Sequence, residues 1–173
     1  IAEYLLVTDE AHVEIAHNLR AASPDFVRVY ITSTPDEAAA LAVELVRTGE
    51  ADILMKGLIN TDNLLRAVLK KEKGLLPPGG VLSHVAVAQI PLYHKLLLFS
   101  DAAVIPRPGL LQFRAMIAND IAICRKLGND QPRVALIHCS EKVNEKFPHT
   151  LDYVQLKEEA QLGRFGSVFV DGP

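Results

Sequence analysis

Apolar runs of strand length recur along the chain: "YLLV" (4–7), "FVRVYI" (26–31), "ADILM" (51–55), "RVALIHC" (133–139) and "SVFV" (167–170). Between them the apolar positions fall at helical spacing. Nearly continuous hydrophobic strands alternating with helices predict an α/β architecture, with a mainly parallel sheet covered on both faces. The helices carry their own end signals. In "STPDEAAALAVELVRTG", Thr34 and Glu37 form a capping box, Pro35 suits the first helical position, and Gly49 ends the helix. Its stripe is Ala38, Leu41, Ala42, Leu45 and Val46. In "GLLQFRAMIANDIAICRKLG", Leu110, Phe113, Ile117, Ile121 and Cys124 share a face, and Arg125 and Lys126 favour the C-terminal end of the dipole before Gly128. A further helix is expected from Thr150, as N-cap, to Gly163.

The middle of the chain breaks the alternation. Two β-like runs, 81–88 and 95–99, are surrounded by Pro and Gly with no long helix between them, which predicts an antiparallel pair or a crossover between lobes. A lobe boundary is placed near Pro91, giving a first lobe of 1–91 and a second of 92–173. The chain opens at Ile1 without a methionine and closes on "VFVDGP", and it reads as a fragment of a longer protein.

The run 51–55 meets a charge where it ends: "ADILMKGLINTDNLLRAVL" places Lys56 and Gly57 at the change from apolar run to helical pattern. Ligands of open α/β sheets gather beyond the carboxyl ends of strands, where helix starts present free amides. There Gly57 would allow a close turn, Asn60 or Thr61 would cap the helix beginning near Asp62, and Arg66 would project about a turn further on. Lys56, the capped start and Arg66 make an anion cradle suited to phosphate or an acyl phosphate. The competing explanation is a lysine that snorkels to solvent and an arginine on an ordinary helix surface.

In "VLSHVAV", strand alternation sends Ser83 and His84 to opposite faces. Ser83 could donate its hydroxyl to a phosphoryl oxygen, and His84 reads either as a ligand contact or as a buried, hydrogen-bonded histidine. The remaining histidines, His12, His17, His94, His138 and His149, lack metal-ligand spacing, so no metal is expected. Neither a phosphate-binding G-x-x-x-x-G-K-[ST] loop nor a G-x-G-x-x-G turn is present, which removes the usual support for nucleoside triphosphate or dinucleotide chemistry. Cys139 and Ser140 sit in no nucleophile elbow. Cys124 and Cys139 are expected to be reduced core thiols, and Glu141 and Asn144 to form a polar rim or an ordinary helix start.

Composition narrows the class. The chain has 173 residues, 49% of them apolar, enough for a substantial core. A net charge of -3 and a pI near 6.1 give no basic footprint and argue against nucleic acid or an anionic membrane as partner. No apolar stretch reaches the roughly 18 residues of a membrane span, and the expected location is the cytoplasm.

Taken together, "ADILMKGLINTDNLLRAVL", "LSHVAV", "YHKLLLFSDAAV", "PRVALIHCSEKVN", "HTLDYVQL" and "DGP" resemble the phosphate acetyl/butyryl transferase family, in family order over about residues 35–173, and the butyryl branch most. The resemblance implies a three-layer α/β/α fold of the isocitrate/isopropylmalate dehydrogenase type, with two lobes, an active cleft between them and a homodimer. It implies reversible acyl transfer between acyl-coenzyme A and inorganic phosphate, with coenzyme A as substrate and no tightly bound cofactor. It also implies Lys56, Arg66 and Ser83 as catalytic groups. Gly57, Asn60, Thr61, His84, Asp101, Asn119, Glu141 and Asn144 are the substrate-binding candidates. The sequence departs from the family pattern at Ile105, where Asn is common after "DAAV", and at Phe113, where a lysine is common. The family's downstream Ser-Arg and Asp group has no counterpart here, and the general base is expected beyond Pro173. The alternative class is an acyl-coenzyme A-sensing regulatory domain without turnover, as in fusions to malic enzymes. A dehydrogenase or an acyl-carrier-protein-dependent acyltransferase would need cofactor or carrier motifs that the sequence does not show.

Overall fold

The computed structural model describes residues 2–173. Its internal contacts divide the chain into two compact units, one running through Gly80 and the other Val81–Pro173. The architecture is α/β, built from helices and three separate strand pairs.

In the first unit β1 (Tyr4–Asp9) leads through a 3-10 turn, Glu10–His12, into α1 (Val13–Ala22) and β2 (Val27–Thr32). The two strands pair in parallel, from Tyr4 opposite Val27 to Asp9 opposite Thr32. Parallel neighbours need a crossover, and α1 supplies it. Helix α2 (Pro35–Arg47) follows, then α3 (Thr61–Val68). The expected cap of α2 is present with one change. Thr34 Oγ accepts from the Glu37 N–H at 3.2 Å, but the Glu37 carboxylate accepts from the Ser33 N–H, at 3.0 Å, so the reciprocal bond closes one residue earlier than in a standard capping box. At the other end Gly49, at φ +81°, donates to Val46 O while Glu50 donates to Leu45 O. That paired arrangement requires the left-handed conformation glycine adopts without strain. The deepest positions of the apolar face are Ala38, Ala39, Val43 and Leu45.

The strand expected over 51–55 does not form. Residues 51–60 are irregular, and Ile53 and Met55 are 82% and 78% exposed. A strand exists through its ladder bonds, and this run has no partner strand among the described residues.

The second unit contains β3 (Ala86–Ala88) and β4 (Leu97–Phe99), antiparallel with Ala86 opposite Phe99. Both strands of this pair lie within the second unit. Helix α4 (Leu110–Lys126), β5 (Arg133–Ala135), α5 (Pro148–Gln161) and β6 (Phe169–Asp171) complete the unit. β5 and β6 pair in parallel, and a bond from the Leu136 N–H to Asp171 O extends the pairing. Both strands are shorter than their apolar runs. Because β5 stops at Ala135, Cys139 lies beyond it in a loop and is exposed, contrary to the core thiol expected; Cys124 is half-buried.

One core holds this unit. Phe113, Met116, Ile117 and Ile121 of α4 pack with Leu136, Val170 and Tyr153, Leu156 and Ala160 of α5, the rings of Phe113 and Tyr153 meeting edge to face at 5.2 Å. Ile105 packs against the same cluster. The two apolar departures from the family pattern, Ile105 and Phe113, therefore serve the core. Arg114 on α4 pairs with Glu159 on α5, bracing the two helices.

Helix α5 starts earlier than expected. Phe147 is its N-cap and Pro148 its first residue, so Thr150 is not the cap but lies within the first turn, fully buried. Its hydroxyl accepts from the Asn144 N–H at 3.0 Å and can donate to Asn144 O or Phe147 O. Replacing the hydroxyl by a methyl leaves the Asn144 N–H without that acceptor, a loss of about 0.5–1.5 kcal/mol. Thr150→Val should lower the urea midpoint accordingly with the m-value unchanged, while exposed Thr61→Val should not.

Candidate active site

The candidate residues fall into the two units. In the first, Lys56 is exposed on the irregular segment, its Nζ donating to Gly57 O at 3.2 Å. The close turn expected of Gly57 is absent: its φ is not positive and an added Cβ would meet nothing within 4 Å. Asn60 occupies the N-cap of α3 but makes no side-chain cap bond, and Thr61 is the first helical residue. Neither performs the capping expected; the α3 start keeps its amide donors unengaged by a side-chain cap. Arg66 donates through Nη2 to Asp36 Oδ1 of α2 at 3.2 Å, both side chains about two-thirds exposed. Hydrogen bonds from Asn63 and then Arg66 hold the Asp36 carboxyl below its ordinary value. The guanidinium carries five donors, so one bond to Asp36 leaves capacity for an anion.

The second unit gathers its candidates more tightly. Ser83 and His84 precede β3 rather than lying in it, so strand alternation does not orient them. Ser83 Oγ accepts from Asn119 Nδ2 of α4 at 2.8 Å. That leaves the Ser83 hydroxyl hydrogen for another acceptor. The His84 N–H donates to Asp101 Oδ2 at 2.8 Å, while Asp101 Oδ1 accepts from the Ala103 and Val104 N–H groups, each at 2.8 Å. Partial burial pushes the Asp101 carboxyl up, but the amides of Val104, Ala103, His84 and Ile105 outweigh it and hold it below its ordinary value. His84 Nδ1 is buried without a hydrogen-bond partner among the described residues, so the hydrogen-bonded histidine expected holds for its backbone and not for its ring.

Glu141 and Asn144 are exposed in the loop before α5. Asn144 Oδ1 accepts from the Lys146 N–H at 2.9 Å and its backbone meets Thr150, which is helix-start chemistry. Two grooves are formed elsewhere, one lined by Tyr4, Leu6, Leu19 and Phe26, the other by Pro132, Arg133 and Phe169. No candidate residue lines either.

Ser100 and Asp120 escaped the sequence reading. Ser100 Oγ lies 2.9 Å from both carboxylate oxygens of Asp120. Burial pushes the Asp120 carboxyl up, the Ser100 hydroxyl pulls it down, and the Asp101 charge adds to the rise. The signal was present in "MIANDIAI", where Asn119 and Asp120 interrupt an otherwise apolar stretch of α4.

The family model described as Phosphate acetyl/butaryl transferase matches residues 10–173. The chain belongs to that family. Among members of the transferase family, the chain is 38% identical to the phosphate butyryltransferase of Clostridium acetobutylicum over its full length, covering 57% of that protein. It is 36% identical to the phosphate acetyltransferase of Thermotoga maritima, with 83% of this chain covering 48% of that one. The chain thus spans about half the length of the relatives it matches. Among solved structures, a branched-chain phosphotransacylase from Enterococcus faecalis V583 superposes with a TM-score of 0.76 at 25% identity, covering 100% of this chain and 68% of that chain. Among the described residues, no helix is long and apolar enough to cross a membrane.

The lowered Asp101 carboxyl gives a signed pH dependence. A depressed folded value means stability that is fully present above the unfolded value of about 3.9 and lost as pH falls through the folded one. Asp101→Asn presents an NH2 to one of the amide donors whichever way the amide turns. The variant should therefore be less stable than the parent at neutral pH, and chemical denaturation at a series of pH values should show the gap closing only below about pH 4.

Proposed function

We propose that the chain is part of a phosphate acyltransferase, of the phosphate butyryl- or acetyltransferase kind, acting in the cytoplasm on acyl-coenzyme A and phosphate as a homodimer. The observation that carries this reading is the family match across residues 10–173, supported by relatives whose names specify phosphate butyryltransferase and phosphate acetyltransferase. The finer architecture, a three-layer α/β/α dehydrogenase-like fold with lobes of 1–91 and 92–173, belongs to the same proposal and is supported by the superposition on the phosphotransacylase.

The chemistry assigns work to the candidates. The sulfur of coenzyme A, as thiolate, attacks the carbonyl carbon of the acyl phosphate. A C–S bond forms, the carbonyl pair moves to oxygen, and collapse of the tetrahedral species breaks the C–O bond and releases phosphate. The reverse sequence makes acyl phosphate from acyl-coenzyme A. Negative charge develops on the carbonyl oxygen and on the departing phosphate, and preorganised donors aimed at it lower the barrier. Lys56 and Arg66 supply positive charge, with Gly57, Asn60 and Thr61 lending backbone and side-chain donors beside them. Ser83 supplies a hydroxyl whose hydrogen is not engaged by Asn119. His84, whose ring Nδ1 is unpartnered among the described residues, Asp101, Asn119, Glu141 and Asn144 are the polar groups proposed to contact substrate.

The test uses the full-length protein and follows thiol consumption from acyl phosphate and coenzyme A. Turnover is expected; coenzyme A binding without turnover would replace this reading by a sensing domain. Arg66→Ala should raise the KM for phosphate or coenzyme A by about tenfold or more, the loss of a charged hydrogen bond worth on the order of 1.5–3 kcal/mol. Stability should hardly change, because the bond to Asp36 is solvent-exposed. Unchanged KM values for both substrates would remove Arg66 from the site.

A further inference from the structure

Asp120 takes no part in the mechanism above, yet the polar contacts of the second unit close into a ring through it. Its carboxylate receives the Ser100 hydroxyl at 2.9 Å. Ser100 precedes Asp101, whose carboxylate holds the amides of His84, Ala103 and Val104. His84 follows Ser83, whose oxygen receives Asn119 Nδ2 at 2.8 Å, and Asn119 precedes Asp120 on α4. Three chain segments, 83–84, 100–104 and 119–120, are thereby joined by alternating covalent and hydrogen-bonded links. No corner of such a ring moves without dragging the next.

Asp120 is also an expensive choice for its position. It is half-buried, one hydroxyl is its hydrogen-bond partner among the described residues, and the Asp101 charge lies near enough to oppose its own. Cys124, one turn along α4, feels that charge in addition to its burial. Burying an acid so sparsely partnered costs stability that an apolar residue at this helix position would not. A structural anchor alone does not require it.

We propose that Asp120 is a positioning residue for phosphate recognition: through Ser100 it fixes Asp101, and through the His84 N–H that Asp101 holds it keeps the neighbouring Ser83 hydroxyl turned to donate its hydrogen to a phosphoryl oxygen. This rests on the preceding assignment of Ser83. Asp120 touches no substrate and transfers no proton. Its effect is confined to where the Ser83 hydrogen points, so it acts on phosphate affinity before it acts on turnover.

The experiment measures KM for phosphate and kcat, from acyl-coenzyme A and phosphate, in the full-length protein carrying Asp120→Ala, Asp120→Asn, Ser100→Ala, Ser83→Ala and the Ser83→Ala/Asp120→Ala pair. Asp120→Ala should raise KM for phosphate about tenfold, the scale of one hydrogen bond to a charged group, with a much smaller change in kcat. Asp120→Asn, whose Oδ1 still accepts from Ser100, should recover most of it. The double variant should be no worse than Ser83→Ala alone, because the two residues act through one hydroxyl. A fall in melting temperature with KM unchanged, failure of Asn to rescue, or additive losses in the pair would each overturn the proposal. Should Asp120→Ala not fold, Ser100→Ala carries the same expected rise, and an unchanged KM there overturns it too. Absence of turnover in the parent protein would overturn the transferase reading instead. Calorimetric titration of phosphate into the same variants then decides on Asp120, an unchanged Kd counting against it.

Discussion

The amide hydrogens of His84, Ala103 and Val104 converge on the carboxylate of Asp101, and the polar face of the second unit is organised by that convergence. A carboxylate that satisfies several backbone donors is held in its charged form and in one orientation. It also decides where its neighbours go. Ser100 is delivered to Asp120 and Ser83 to Asn119, so that two side chains of α4 meet two loop hydroxyls. The apolar side of the same helix, with Phe113, Met116, Ile117 and Ile121, is locked into the core with α5. Helix α4 therefore does two jobs at once: its buried stripe fixes its position, and its polar pair passes that position on to the candidate site.

Much of this was legible in the sequence wherever the cause is local. Capping and termination of α2 follow from Thr34, Glu37 and Gly49, because an N-cap oxygen and a left-handed glycine act on their own helix ends. Pro- and Gly-bounded runs without an intervening helix left two readings, an antiparallel pair or a crossover between lobes, and β3 and β4 take the first. The failures share a different cause. "ADILM" has the composition of a strand, but composition cannot supply the neighbouring strand that a ladder needs. Cys139 follows an apolar run, and the run outlasts the pairing that would bury it. Thr150 has the residue type of an N-cap, but Pro148 starts the helix before it, which turns the hydroxyl from a cap into a buried brace for Asn144.

The candidate site shows the same division. Residue types suited to holding an anion could be picked out, and family membership gives them a chemical context. What could not be read was their engagement: Arg66 with Asp36, Lys56 with its own loop, Ser83 with Asn119. Such pairings join residues 30 or more positions apart in two of these cases, and no periodicity encodes them. Ser100 and Asp120 belong to the same class, visible as polar interruptions of apolar segments and meaningful only once brought together.

The three-amide grip of Asp101 leaves little room for drift at that position. Glutamate would carry the charge but set it one methylene too far out, asparagine would match the size but offer a donor where an acceptor is required, and alanine would orphan all the loop amides together. Keeping this loop geometry therefore requires aspartate at position 101, whereas the side chain of exposed Ala102 takes part in none of these bonds.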